Sequence, residues 1–149
     1  MSLVSSLNGV HNAVLTHITG FTADNCSLHD EAVFNYIQST TGAPTKCCII
    51  AYDGASSGRS AEFRSAMMNW NVLVNAFFMI TGDDYMTPVN NAIAFVDSIV
   101  SLCASNPFLD NTVMKASVVS GSEPLFYSRA SFNYILVSVT VNVMDNIGG

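Results

Sequence analysis

The chain is poor in charge, and in basic charge above all. Only 11% of its 149 residues are charged, against roughly 25% in an ordinary soluble protein, and five Lys or Arg face eleven Asp or Glu. The resulting net charge of −6 offers no basic field for a phosphate backbone, which argues against sequence-specific nucleic-acid binding. An acidic surface is compatible with a channel through which DNA slides without sticking. Long hydrophobic runs are missing too: no uninterrupted apolar stretch reaches the roughly 18 residues of a membrane helix. Met1 to Ile18 has no positive leading region and is broken by Asn8, His11, Asn12 and His17, so it does not read as a signal peptide. A protein made and retained in the cytoplasm, away from membranes, is expected. The four cysteines, Cys26, Cys47, Cys48 and Cys103, contain no C-x-x-C pair and no zinc spacing. Buried thiols are expected of them, with an inter-subunit disulfide as the alternative.

What the chain does have is apolar mass. Half of its residues are hydrophobic, ample for one domain spanning residues 1–149, and enough to leave apolar surface for a partner. An oligomer is therefore expected.

The spacing of these residues sorts them into elements. Leu3, Val4, Leu7, Val10, Val14, Leu15 and Ile18 recur at helical steps, and Gly20 ends the helix. A second helix is predicted from Leu28 to Gln38, with Ser27 as N-cap and Asp30 as its capping partner; Gly42 and Pro44 stop it. Cys47 to Tyr52 is a continuous apolar run, the profile of a strand buried on both faces. From Asn69 the period becomes two: Trp70, Val72, Val74, Ala76, Phe78 and Ile80 face one side, and Asn69, Asn71 and Asn75 the other. The Gly- and Ser-rich segment between these strands suggests an antiparallel hairpin. Thr87 and Pro88 read as N-cap and first-turn proline of a helix whose inward stripe is Val89, Ala92, Ile93, Val96, Ile99, Val100 and Cys103, ending near Ser105. Strands from Val113 to Ser120 and from Phe132 to Met144 follow, the last alternating Ile135, Val137, Val139, Val141 and Val143 with Ser138, Thr140 and Asn142. The expected fold is α+β: a four-stranded, largely antiparallel or mixed sheet with helices packed on one face.

Motifs that could carry chemistry are weak. Gly54-Ala55-Ser56-Ser57-Gly58 matches G-x-S-x-G after a strand, but a nucleophile elbow has its histidine base later in the chain, and His11, His17 and His29 all precede Ser56. A small serine hydrolase using Ser56 is the enzymatic alternative. Read as a phosphate loop, the segment to Arg59-Ser60 is one residue short and has arginine in the lysine position. His17, Cys26, His29 and Asp30 are metal-ligand types at no known spacing. Asp83-Asp84 reads as a solvated turn. No catalytic residue, cofactor or metal is expected. Arg59, Glu62, Arg64 and Arg129 fall in the connections Asp53 to Ala66 and Gly121 to Ser131, where a scaffold meets its partners, and they are candidate subunit contacts.

The order of elements resembles the tail terminator, or tail completion, proteins of long-tailed bacteriophages, including the Mu-like tail proteins. The likeness is carried by the N-terminal helix, by Ala43-Pro44 leading into Cys47-Cys48-Ile49-Ile50-Ala51-Tyr52-Asp53-Gly54, and by Trp70-Asn71-Val72-Leu73-Val74. It continues through the helix Pro88 to Cys103 and the aromatic-led Phe132-Asn133-Tyr134-Ile135-Leu136-Val137. The adjacent cysteines and the second N-terminal helix depart from it. The resemblance implies a structural virion protein of the tail or neck, assembled in the host cytoplasm. It would form a homo-oligomeric ring, commonly hexameric, that caps the tail tube, ends its polymerisation and docks the head through connector proteins. DNA would pass through the lumen without specific binding. Another neck or head-tail connector component of similar fold, or an unrelated α+β interaction module, are the alternatives.

Overall fold

A computed structural model describes residues 3–22, 25–28, 45–52, 58–59, 67–113, 115–129 and 132–146. In chain order they form α1 (Leu3–His17), β1 (Cys26–Leu28), β2 (Lys46–Tyr52), β3 (Gly58–Arg59), β4 (Met67–Met79), α2 (Met86–Ser105), β5 (Lys115–Gly121), β6 (Leu125–Arg129) and β7 (Phe132–Asn146). The class is α+β, as the sequence implies, but the sheet is wider than the four strands expected. Its order is β1-β2-β4-β7-β5, with β3 added on β4 and β6 on β7. All pairs are antiparallel except β1 on β2.

The two long strands anchor the sheet. β4 pairs with β7 from Met67↔Asn146 to Met79↔Tyr134 without a break. Unbroken register follows from unbroken alternation, since a slip of one residue would turn Val72, Val74 and Ala76 out of the core together. These residues, with Val137, Val139, Val141 and Val143, are essentially inaccessible to solvent. Both helices cover this face. α1 contributes Leu7, Val10, Ala13 and Val14 to the cluster, and Ile18 joins them just past its end. It ends where expected, with Gly20 at φ 93°, a conformation that favours glycine.

Three expectations need correction. The predicted helix does not start at Leu28: Ser27 and Leu28 lie in β1, paired with Ile49 and Ile50, and the Asn25 carbonyl accepts the Cys48 N–H at 2.8 Å. The open edge of β2 offers backbone partners to Cys26–Leu28; residues 29–38 of the expected helix lie outside those described. Thr87 does not cap α2. The N-cap position is Tyr85, which makes no side-chain capping bond; one residue earlier, Asp84 Oδ1 accepts the Thr87 N–H at 3.1 Å, and hydrogen bonds from the Thr87 side chain and backbone hold its carboxyl below the ordinary value. Finally, the stripe that α2 lays on the sheet keeps Ala92, Ile99 and Cys103 as expected, with Val89 and Val96 partly buried at its margin, but adds Pro88, Phe95 and Leu102 and leaves Ile93 and Val100 exposed. Phe95 is drawn inward by ring contacts with Phe21 and Phe78, at centroid separations of 5.3 and 6.2 Å. α2 is long and apolar enough to cross a membrane by length and composition, but its apolar stripe is packed against the sheet.

Beyond α2 the chain turns through three successive left-handed residues, Leu109, Asp110 and Asn111. Such conformations are costly for side-chain-bearing residues, and local bonds hold them. Thr112 and Val113 donate backbone N–H to Phe108 O at 3.0 and 3.2 Å, and the Thr112 hydroxyl donates to Leu109 O at 2.6 Å. α1 presses on this turn at Gly9, where a Cβ would come within 2.7 Å of Thr112 Oγ1.

Candidate functional site

The edge strand paired along the outer side of β7 carries exposed large apolar side chains, Val119, Leu125 and Phe126. β5 and β6 run in one direction along β7 and amount to a single edge strand interrupted at residues 122–124. Ser122 bridges the gap, donating its N–H to Ser138 O and accepting the Ser138 N–H on Oγ, both at 2.8 Å. The β5 half is guarded against further pairing. A bulge at Val119 shifts the register between Val118↔Val141 and Ser120↔Thr140, and Pro124 cannot donate to a ladder. Bulges, prolines and charges are the devices by which sheet edges resist adding another chain.

The β6 half carries none of these before Arg129. Leu125 and Phe126 are 54% and 60% exposed. Opposed residues of an antiparallel pair share a face, so Leu125 lies on the face of Leu136 and Phe126 on that of Ile135. Apolar surface therefore projects on both sides of this strand. The preceding strand adjoins the outer flank of α2: at Gly121, the end of β5, a Cβ would lie 3.3 Å from Val96 Cγ1. Beside it, Val100, Cys103, Pro107, Ala116 and Val118 line a shallow groove of about 300 Å³ between α2 and β5.

The candidate contact residues are placed differently from expectation. Arg59 and Arg129 lie in strands: Arg59 is in β3 opposite Met68, and Arg129 ends β6 opposite Phe132. Because Met68 pairs with Asp145, the two arginines stand near opposite ends of β7, roughly 40 Å apart along the strand at about 3.3 Å per residue. They do not form one patch. Glu62, Arg64 and Ser56 lie outside the described residues, as do His29 and Asp30.

Several polar groups among the described residues are engaged locally. His11 Nε2 lies 3.1 Å from Cys26 O. His17 Nε2 lies 2.8 Å from Asp110 Oδ2, and Asn106 Nδ2 donates to Asp110 Oδ1 at 2.9 Å; the His17 and Asn106 hydrogen bonds hold the Asp110 carboxyl below its ordinary value. This tie fastens the end of α1 to the left-handed turn. A cleft of about 290 Å³ between α1 and α2 includes Lys46, whose ammonium lies 5.5 Å from the Phe21 ring centroid, with Asn91 and Ser98. Burial pushes the Cys47 thiol up to about 12 and Cys103 to about 11, so both are neutral near pH 7 and poor nucleophiles. Among the described residues no three His, Cys, Asp or Glu side chains are grouped to hold a metal ion.

Sequence reasoning missed β6 and its exposed pair because Gly121 to Ser131 reads as one long connection. The available signal was Leu125-Phe126-Tyr127, separated by a few polar residues from Phe132-Asn133-Tyr134, the pattern of a hairpin. No protein-family model matches the sequence. No curated protein is significantly similar to it.

Proposed function

We propose that the chain is a structural assembly subunit and not an enzyme, and that its assembly is the ring that caps the tail tube of a long-tailed bacteriophage. The observation that carries the assembly reading is the β6 edge, unguarded among the described residues, with Leu125 and Phe126 exposed on its two sides and the β5–α2 groove further along the same edge. A free strand edge presents unpaired backbone groups, and apolar flanks add the driving force for another chain to cover it. The phage role follows from the resemblance in element order; it requires no catalytic group and suits an acidic, uncharged-rich surface.

A closed ring needs two unlike patches per subunit that meet head to tail. In this reading β6 and the α2 flank form one. Arg59 and Arg129, at opposite ends of the long strands, contribute to different contacts, with Glu62 and Arg64 in the segment after Arg59. The tube protein and connector proteins are the partners on the ring's two sides.

Sedimentation and negative-stain imaging test this directly. The wild-type chain is expected to form closed rings of about six subunits, as cyclic oligomers do. Phe126→Lys should reduce them to folded monomers, judged by an unchanged circular dichroism spectrum. A wild-type monomer under every concentration and cation condition that also fails to arrest tube growth would overturn the ring reading.

A further inference from the structure

Cys26 and Cys48 are directly opposed across β1 and β2, the one parallel pair in the described sheet. Both side chains point into the helix-covered core, where they are 2% and 0% exposed, and their thiols are in hydrogen-bonding contact. We propose that Cys26 and Cys48 are a dithiol poised to form an intramolecular disulfide, which clamps the β1 edge strand to the sheet.

The register makes the pair geometrically competent. Neighbouring strands lie about 4.8 Å apart, within the roughly 4.4–6.8 Å Cα separation that disulfides span. Closing the bond brings the two sulfurs from contact to about 2.05 Å, and β1, which carries Cys26, is a strand of three residues. The other cysteines are excluded by position. Cys47 points to the opposite face, packed with Ile49, Phe77 and Tyr134. Cys103 lies against β5, which is separated from β2 by β4 and β7, some ~14 Å across the sheet.

The reaction balances with a low-molecular-weight disulfide as oxidant. One thiolate attacks it, expelling one small thiol and forming a mixed disulfide; the second protein thiolate attacks the protein sulfur of that bond and expels the other. The two protein thiols lose two electrons and two protons in all, and the small disulfide is reduced to two thiols. Contact with Cys26 and burial both hold Cys48 in its neutral form, so reaction awaits fraying of β1 from β2.

The test is oxidation of the intact, reduced chain with oxidised glutathione, read by mass spectrometry after denaturation. The expected product has lost two hydrogens, retains two of its four cysteines for alkylation, and yields one cross-linked peptide joining Cys26 to Cys48. Its formation should accelerate severalfold in sub-denaturing urea, persist in Cys47→Ala and Cys103→Ala, and vanish in Cys48→Ser. The oxidised chain should unfold at higher urea than the reduced one, and dithiothreitol should reverse the shift. A bond involving Cys47 or Cys103, a stable mixed disulfide at Cys26 or Cys48, or four alkylatable thiols after prolonged exposure would each overturn the proposal.

Discussion

The two faces of the sheet are made by the same strands through the same alternation, yet they are built by different rules. Under the helices, β4 and β7 place Val72, Val74, Val137, Val139, Val141 and Val143 in a continuous dry core. On the other face the same strands place two unlike zones. At one end Cys47, Ile49, Phe77 and Tyr134 form a second apolar cluster, with Phe77 edge-on to Tyr134 and Tyr127 at centroid distances of 6.3 and 5.2 Å. Towards the other end neutral polar groups pair across the strands: Asn142 Nδ2 donates to Asn71 Oδ1 at 2.9 Å, and Ser138 Oγ donates to Asn75 Oδ1 at 2.6 Å. Burial alone settles the first face. The second is specified by hydrogen bonds as well, since Asn71 is 9% exposed and a buried amide must be satisfied.

Substitutions on each face measure this difference. Phe95→Ala removes the ring that joins α2 to Phe21 and Phe78, and should cost about 4 kcal/mol in urea unfolding, with a cavity left behind. Phe77→Ala empties the smaller cluster and should cost about 3 kcal/mol; a loss equal to that of Phe95→Ala would mean that both faces are sealed alike. Asn142→Ala leaves the Asn71 amide without this donor and should cost about 1–2 kcal/mol. If it is neutral, the polar zone is solvated and the contrast between the faces is weaker. The smallest effect concerns protons and belongs to the helix side. Asp84 and Asp110, at the two ends of α2, have carboxyls held below the ordinary 3.8 in the folded chain, so their contribution is present above that value and is lost as pH falls through the lowered folded values. An Asp84→Asn, Asp110→Asn variant should show a flatter acid limb in a series of urea midpoints against pH.

Legibility followed the same division. α1, β2, β4, α2 and β7 stand close to where periodicity puts them, because each carries a long pattern that only one conformation can bury. The stripe of α2 was ambiguous at its margin: Val89, Ile93, Val96 and Val100 form an apolar row of which Val89 and Val96 pack on the core and Ile93 and Val100 do not, and helical periodicity cannot set that edge. The aromatic contacts of Phe95 decide it. β1 and β6 are short and owe their existence to edges offered by β2 and β7, partners distant in sequence. The candidate contact residues suffered likewise. Arg59 and Arg129 are visible as rare cations in the sequence, but only strand register reveals that they stand at opposite ends, and that the exposed pair on β6 is apolar.

The close approach of Gly9 to Thr112 has an evolutionary consequence. The hydroxyl that a Cβ at position 9 would strike is the one that closes the left-handed turn on Leu109 O. The two positions, far apart in the chain, should therefore be inherited as a pair: among homologues, a larger residue at 9 should occur only where 112 has changed too, and a library randomising both should recover far more folded members than one randomising Gly9 alone.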